Sequence, residues 1–138
     1  MLSTFIRDIN DRLLIIPTKV IKKLQEKADR VLIDAPCSGL GVLKRNPDAK
    51  WKLQPEFIDN IRKVQAEVLE SYSRIVKPGG KLVYATCSVL PSENQEQVKN
   101  FLKNTEMGKN FKFLKDSKIL ASESGFDGFY MALLERNP

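Results

Sequence analysis

The stretch Val31-Leu32-Ile33-Asp34-Ala35-Pro36-Cys37-Ser38-Gly39 decides the fold of this chain. Aliphatic residues lead directly into an acid, a proline, a thiol and a glycine. An apolar run that turn-forming residues stop is typical of a buried parallel strand. Because Pro36 has no N–H to donate to a neighbouring strand, the strand should end at about Asp34. Asp34 and Cys37 should then lie just beyond the carboxyl end of a strand, where open α/β sheets bind ligands.

A second stretch has the same form. Lys81-Leu82-Val83-Tyr84-Ala85-Thr86-Cys87-Ser88 is a short apolar strand that ends in a thiol, and Pro78-Gly79-Gly80 forms a turn in front of it. Apolar residues at spacings of three and four over 55–76 predict a helix between the two strands. A right-handed crossover through this helix would make the strands parallel. If the strands are neighbours, their ends bring Cys37 and Cys87, the only two cysteines, to one crevice.

The beginning of the chain is less regular. Met1–Asn10 has weak periodicity, which fits either a short helix or a disordered lead. Leu13–Ile16 is an apolar run that Pro17 ends, and it is a candidate for a short strand. Thr18 can cap a helix over 19–27. Three apolar residues of that helix should point inward: Val20, Ile21 and Leu24.

Three elements are predicted after the second cysteine. A helix over about 91–103 would turn Val98, Phe101 and Leu102 inward. The residues 111–114 alternate like a strand. The residues 129–134 indicate a last buried strand, which should pair antiparallel with its predecessor because the two are close in sequence. The predicted fold class is therefore α/β in a single domain over 1–138, with a lead segment and helix over 1–30 and a motif-bearing core over 31–138.

Composition limits the function. A chain of 138 residues forms one domain with a modest core. With no histidine, a Ser-His-Asp triad, a Cys-His dyad and histidine-based zinc sites are excluded, and two cysteines are too few for a structural zinc site, so no metal is expected. Neither a secretory signal nor a membrane span of roughly 20 apolar residues is recognisable. Two cysteines form no disulfide framework, so the expected compartment is the reducing cytoplasm.

The net charge of the chain indicates which kinds of partner it could bind. The net charge of +6 favours polyanions such as nucleic acid or an anionic membrane surface, although a solvated lysine-rich surface is the alternative. The segment 43–52 is basic and carries the only tryptophan. Lys44, Arg45 and Lys50 suit phosphate contacts, and Trp51 suits stacking on a base. Alternatively, Trp51 anchors this segment on the core.

Two thiols and one carboxylate at one strand edge suit covalent catalysis, in which one thiol attacks and the other groups move protons. Three alternatives remain open. The cysteines could be small buried hydrophobic residues, the thiols could form a disulfide switch, and Asp34 could only cap a turn.

The motifs resemble those of a known family. Asp34-Ala35-Pro36-Cys37-Ser38-Gly39 and Ala85-Thr86-Cys87-Ser88 look like the two active-site motifs of the RNA 5-methylcytosine methyltransferases, the Sun/nucleolar-protein family. The resemblance covers the chain from about residue 28 to the end. It most resembles the bacterial branch that modifies 16S ribosomal RNA. Four further segments carry it: 41–48, 77–80, 91–94 and 127–132.

The resemblance implies a role for each residue of the crevice. Cys87 would attack C6 of a flipped-out cytosine, which makes C5 nucleophilic enough to take the methyl group of S-adenosylmethionine. Cys37 would assist loss of the C5 proton and release of the enzyme. Asp34 would contact the base near N3, and Asp34, Ala35 and Pro36 would lie against the cofactor. The expected fold is a partial Rossmann-like methyltransferase sheet of parallel strands plus a C-terminal antiparallel strand, with flanking helices.

One departure from the family concerns the cofactor. The family places a glycine-rich loop and an acidic residue that binds the ribose ahead of the Asp-Ala-Pro-Cys motif, and the first 33 residues of this chain contain no glycine. We therefore expect the chain to be the C-terminal part of a methyltransferase that lacks the N-terminal cofactor-binding half, to bind cofactor poorly and to show little turnover alone. An exposed sheet edge would also invite homodimer formation.

Three other functions stay open. A DNA cytosine-C5 methyltransferase would use the thiol of the Pro-Cys motif, Cys37, as nucleophile, and the Thr-Cys motif around Cys87 argues against it. A non-catalytic remnant that binds RNA or another subunit is supported by the missing cofactor motif. A thiol redox protein has no supporting motif, since the cysteines are not in a C-x-x-C arrangement.

Overall fold

The computed structural model describes residues 4–7 and 13–138 of the chain. The strands are β1 (Thr4–Arg7), β2 (Leu13–Ile16), β3 (Ala28–Asp34), β4 (Val76–Thr86), β5 (Phe111–Ile119) and β6 (Phe129–Arg136). The α-helices are α1 (Thr18–Leu24), α2 (Ala49–Lys52), α3 (Pro55–Ser73), α4 (Gln95–Asn104) and α5 (Ala121–Ser124). Short 3-10 turns occupy Leu40–Val42, Pro91–Glu93 and Gly108–Asn110.

The main sheet has four strands in the order β3-β4-β6-β5, and β1 pairs with β2 in a separate antiparallel hairpin. β3 and β4 are parallel neighbours, with Ile33 opposite Tyr84 and Asp34 opposite Ala85. β6 inserts between β4 and β5 and runs antiparallel to both. The predicted α/β class, the parallel strand pair and the antiparallel C-terminal strand are therefore confirmed.

The core lies between one face of this sheet and the helices α3 and α4. Alternate residues of β4 and β6 point into it, as the two-residue period of a strand requires. The residues that share this buried cluster include Leu82, Tyr84, Tyr130, Ala132 and Leu134 from the strands, Val68, Leu69 and Tyr72 from α3, and Val98 and Phe101 from α4. The opposite face of the sheet is more open, because Leu32 is 69% exposed and Met131 is 42% exposed.

The expectation that the first strand is fully buried is wrong. In β3, Ile33 is buried, whereas Leu32 lies on the open face. The physical reason is that Ile33 points to the face of the sheet that packs against the core, whereas its neighbour Leu32 points to the opposite face, which the described residues leave open. An apolar run marks a strand, but it does not say how many layers cover it.

The predicted N-terminal elements are only partly correct. α1 is shorter than 19–27 and ends at Leu24, and Pro17 rather than Thr18 precedes its first turn. Of the predicted inward residues, Ile21 is buried, but Val20 and Leu24 are 40% and 41% exposed. Within 1–10, Thr4–Arg7 forms a strand rather than a helix, and the other residues lie outside the described part of the chain.

Other element boundaries also shift. α3 ends at Ser73 rather than near residue 76, because β4 already begins at Val76. Ala28 pairs with Val76 while Arg30 pairs with Lys81, so the predicted turn at 78–80 bulges out of a longer strand. β5 continues to Ile119, well beyond the alternating residues 111–114, with a bulge after Phe113. In the part of the chain that the structure describes, no helix combines the length and the apolar character that a membrane crossing needs.

Candidate active site

The two cysteines meet at the carboxyl ends of β3 and β4. Their Sγ atoms are 3.2 Å apart, and both residues are half-buried. The parallel register carries past the end of β3, because the Ala35 N–H donates to the Ala85 carbonyl at 2.9 Å. The two chain segments therefore leave the sheet side by side, and the predicted crevice with both thiols exists.

The close contact changes the acidity of Cys37. Its hydrogen bond with Cys87, followed by burial, raises the pKa of Cys37 far above its usual range. Both effects disfavour a charged Cys37, since two thiolates would repel each other and a buried thiolate lacks water. Cys37 therefore resists ionisation while it contacts Cys87, and either thiol of the pair can donate the hydrogen bond between them.

A buried carboxylate lies behind the two thiols. Glu93 is fully buried. Its Oε1 accepts hydrogen bonds from the Ser38 backbone N–H at 2.8 Å and from the Gln65 amide at 3.0 Å. Its Oε2 accepts from the Ser38 hydroxyl at 2.6 Å and from the Ser88 hydroxyl. Because Ser38 follows Cys37 and Ser88 follows Cys87, one carboxylate joins both cysteine-bearing segments.

A second group of buried polar residues holds the segment around Cys87. Asn94 accepts a hydrogen bond from the Thr86 hydroxyl and donates to the Ser88 carbonyl at 2.8 Å. The Tyr84 hydroxyl donates to the Glu93 carbonyl at 2.7 Å. Burial, with the nearby Cys37 and Glu93, raises the pKa of Tyr84, so this phenol stays neutral and remains a donor.

Two glycines allow the segment after Cys37 to lie directly on that of Cys87. The Gly41 N–H donates to the Cys87 carbonyl at 2.8 Å, and the Gly128 N–H donates to the Gly41 carbonyl at 2.7 Å. A Cβ on Gly41 would overlap the Gly128 carbonyl oxygen and would lie 2.6 Å from the Cys87 oxygen. Glycine is required here by the close approach of the backbones.

The remaining strand-end residues border the crevice. Asp34 is exposed at the end of β3, and Ala35 is buried. The Pro36 carbonyl accepts a hydrogen bond from the Gln65 amide at 2.9 Å, which ties this turn to α3. A carboxylate and an ordered turn therefore lie on the open side of the thiol pair.

The basic segment lies on the surface. Lys44 and Arg45 are exposed, and Arg45 Nε lies 2.7 Å from the Asp127 carboxylate. Lys50 Nζ lies 4.8 Å from the centre of the Trp51 ring, and Trp51 is 77% exposed. The alternative that Trp51 anchors the segment on the core is therefore wrong, and its ring is available to a ligand.

Sequence reasoning missed the polar residues that connect the thiols. Ser38 and Gln65 come from separate parts of the chain, and Ser88 and Glu93 lie together in the segment after β4. One signal was present, since each cysteine is followed directly by a serine. The acceptor for both serines could not be identified, because an acid in a turn is usually solvated.

Several known proteins resemble this chain. A family model described as 16S rRNA methyltransferase RsmB/F matches residues 14–135. The ribosomal RNA small subunit methyltransferase B of Vibrio vulnificus (strain YJ016) is 45% identical over 112 residues, which are 79% of this chain and 26% of that protein. The chain therefore spans about a quarter of the length of this curated relative.

Solved structures show the same fold. The crystal structure of PH0851 matches with a TM-score of 0.75 and 36% sequence identity. The matched region covers 81% of this chain and 27% of the PH0851 chain. A methyltransferase homologue from Pyrococcus horikoshii matches with a TM-score of 0.70 at 22% identity, over 93% of this chain and 46% of its own. The methyltransferase-like architecture expected from the motifs is thereby confirmed.

Proposed function

Because this chain belongs to the RsmB/F family of 16S rRNA methyltransferases, we propose that it carries the catalytic edge of an enzyme that methylates C5 of a cytosine in RNA. The observation that carries the proposal is the 3.2 Å contact between the Sγ atoms of Cys37 and Cys87 at adjacent strand ends. When two thiols are in contact, one can add to the base as a nucleophile while the other transfers a proton. The proposed substrate is 16S ribosomal RNA, and the proposed compartment is the cytoplasm.

In this mechanism Cys87 is the nucleophile. Its sulfur adds to C6 of the cytosine, and the electron pair of the C5–C6 double bond moves to C5, where the methyl group is accepted. Once Cys87 is bonded to C6, Cys37 as a thiolate accepts the C5 proton. The electron pair of the C5–H bond restores the C5–C6 double bond, and Cys87 leaves C6 as a thiolate. The 3.2 Å contact supports a joint role for the two thiols, because either one can donate a hydrogen bond to a thiolate at the other.

Asp34, Ala35 and Pro36 would hold the base and part of the cofactor. The exposed Asp34 carboxylate can contact the base near N3, and the turn through Ala35 and Pro36 is held against α3 by Gln65. These groups fit one side of a S-adenosylmethionine site, because they offer an acceptor and an ordered backbone beside the thiols. When bound, S-adenosylmethionine supplies the methyl group.

The basic segment would contact the RNA. Lys44, Arg45 and Lys50 are exposed cations near an exposed Trp51, an arrangement that suits phosphate contacts and stacking on an unpaired base. A stacked cytosine hides C6, so the base has to be flipped out before Cys87 can reach it. Stacking of a neighbouring base on Trp51 would offset part of the cost of unstacking.

The assignment of the two thiols can be tested in a chimera. Residues 14–135 replace the matching part of the Vibrio vulnificus relative, and the chimera is incubated with S-adenosylmethionine and an RNA that contains 5-fluorocytosine. The fluorine cannot leave as a proton does, so the methylated adduct persists. We expect Cys87→Ser to abolish the covalent complex and Cys37→Ser to retain it. The reverse result would favour the chemistry of DNA cytosine-C5 methyltransferases, with Cys37 as nucleophile.

The chain alone should lack most of the activity. It spans about a quarter of the length of the curated relative, and its first 33 residues contain no glycine. We expect calorimetric titration of the chain with S-adenosylmethionine to show no binding in the micromolar range. Micromolar binding would contradict this expectation. RNA binding by the chain, together with a chimera that forms no adduct with 5-fluorocytosine RNA, would favour the second candidate. That candidate is a non-catalytic RNA-binding module, for which the exposed basic segment is the supporting observation.

The outer strand of the main sheet, β3, concerns the association of two copies of the chain. β3 lies at one edge of the main sheet, and its Leu32 is exposed on the open face. Unpaired strand edges invite pairing with another chain. We propose that two copies can associate through this edge, and a clean monomer in size-exclusion chromatography at high concentration would count against it.

A further inference from the structure

We propose that Glu93 is a positioning residue whose carboxylate holds the two cysteine-bearing segments at the distance that the reaction needs. This inference rests on the proposed function for its catalytic meaning, but its geometry is independent of any substrate. Glu93 does not touch the crevice itself, and it acts on the thiols through Ser38 and Ser88.

The hydrogen bonds of Glu93 show why it, rather than the sheet, sets the position of the thiols. The strand pairing carries to the hydrogen bond between Ala35 and Ala85, and both cysteines lie beyond it. There, Glu93 Oε2 accepts from both serine hydroxyls, and these hydroxyls are themselves 3.3 Å apart. The residue after each thiol is thus fixed to the same oxygen atom.

The position of Glu93 is itself fixed from two further directions. The Gln65 amide of α3 donates to Glu93 Oε1 and to the Pro36 carbonyl, so the helix, the acid and the Cys37 turn are connected. The Tyr84 hydroxyl of β4 donates to the Glu93 carbonyl. Because Gln65, Tyr84 and Glu93 are fully buried, water does not compete for these bonds. A buried network in which each member is satisfied is stiff, and stiffness is what alignment of reacting groups requires.

A buried glutamate is a costly way to stabilise a protein, since apolar residues of similar volume often serve as well. Its placement between two reactive segments is therefore better explained by alignment than by stability. Misplacement of a reacting group by about 1 Å costs about a hundredfold in rate, so a rigid link between the two thiols has a direct catalytic benefit.

The experiment uses the intact chain and needs neither RNA nor cofactor. The alkylation rate of Cys37 by iodoacetamide is followed between pH 7 and pH 10 by peptide mass spectrometry. Contact with Cys87 is the main cause of the raised pKa of Cys37, so Cys87→Ala shows the pH profile of a Cys37 that has lost its partner. We expect Glu93→Ala to move the profile of the wild-type chain towards that of Cys87→Ala. While the pH stays below the pKa, each unit by which the pKa falls raises the alkylation rate about tenfold.

Two variants separate positioning from general destabilisation. Ser73→Ala is the matched control, because Ser73 is also fully buried and hydrogen-bonded but lies at the end of α3, where it donates to Glu70. Its pH profile should stay that of the wild-type chain. Glu93→Gln keeps the size of the side chain and one carbonyl oxygen, so it should restore most of the wild-type profile. If Glu93→Ala fails to fold by circular dichroism, Ser38→Ala removes a single hydroxyl of the link and should give an intermediate profile.

The outcomes are distinct. A folded Glu93→Ala chain with the wild-type profile would overturn the proposal, and so would a Ser73→Ala chain that changes as much. If the profile shifts as expected but the chimera forms no adduct with 5-fluorocytosine RNA, the link between the thiols stands and the proposed function fails. If the adduct forms but the profile does not move, the proposed function stands and the role of Glu93 is wrong.

Discussion

Replacement of Gly41 by alanine tests whether close backbone contact builds the crevice. The new Cβ would overlap the Gly128 carbonyl oxygen and would lie 2.6 Å from the Cys87 carbonyl oxygen. Ordinary carbon–oxygen contacts are about 3.3 Å or longer. The segment after Cys37 must therefore move away from both neighbours.

The expected cost follows from what this movement disrupts. The two hydrogen bonds of Gly41, to Cys87 and from Gly128, each contribute about 0.5–1.5 kcal/mol. Insertion of a methyl group into a packed site typically costs about 1–3 kcal/mol. We therefore expect Gly41→Ala to lower the free energy of unfolding by about 2–6 kcal/mol, a large part of the roughly 5–15 kcal/mol of a typical domain.

Urea unfolding followed by circular dichroism measures this loss. Gly125→Ala is the control, because Gly125 has a φ of +74° and no atom within 4 Å of a built Cβ. Its cost is that of a left-handed backbone alone, about 1–2 kcal/mol. If Gly41→Ala unfolds within about 0.5 kcal/mol of the wild-type chain, or no earlier than Gly125→Ala, the contact argument is refuted.

Three further predictions concern pH, packing and RNA. Cys37 and Tyr84 have raised pKa values in the folded chain and ordinary values of 9.0 and 10.0 when unfolded. The stability that these two groups contribute is therefore fully present below pH 9, and it falls at higher pH because the unfolded chain releases their protons first. A urea midpoint that stays constant from pH 7 to pH 10.5 would contradict this. Leu82→Ala in the core should lower the free energy of unfolding by about 2–5 kcal/mol, whereas Leu32→Ala, at a residue that is 69% exposed, should lower it by less than about 0.5 kcal/mol. Equal losses in urea unfolding would show that the open face of the sheet is covered in solution. Arg45→Ala should weaken RNA binding and lower the slope of log K against log salt by about 1. Arg74→Ala, which removes an exposed arginine at the amino ends of β3 and β4, should not. Fluorescence anisotropy at several salt concentrations measures both, and equal effects would exclude a specific role for the basic segment.

Much of the site could be predicted from the sequence because its signals are local. Pro36 marks the end of β3, and the helical pattern before Ser73 implies a crossover that makes β3 and β4 parallel. Parallel strands that are neighbours end at the same edge of a sheet. The meeting of Cys37 and Cys87 follows from these three facts.

Burial was predicted less well, because it depends on what lies above and below an element. Leu32 was expected to be buried and is 69% exposed, and Trp51, for which contact with the core was one of two interpretations, is 77% exposed. The expected helix after Pro17 is also shorter and less buried than its pattern indicated. An apolar residue in a periodic pattern reports the local conformation, but the layers that cover it come from distant parts of the chain.

The sequence by itself determined the parallel strand pair, the position of both thiols at its carboxyl edge and the family to which the chain belongs, because each depends on residue order over short distances. Only the tertiary structure decided how the thiols are held. Glu93 lies in the turn that follows β4 and accepts hydrogen bonds from Ser38, Ser88 and Gln65. Gly128, near the carboxyl end of the chain, donates a hydrogen bond to Gly41. Except for the bond between Glu93 and Ser88, these contacts join residues that are distant in sequence, and hydrogen-bond partners of that kind are fixed by packing rather than by any local pattern.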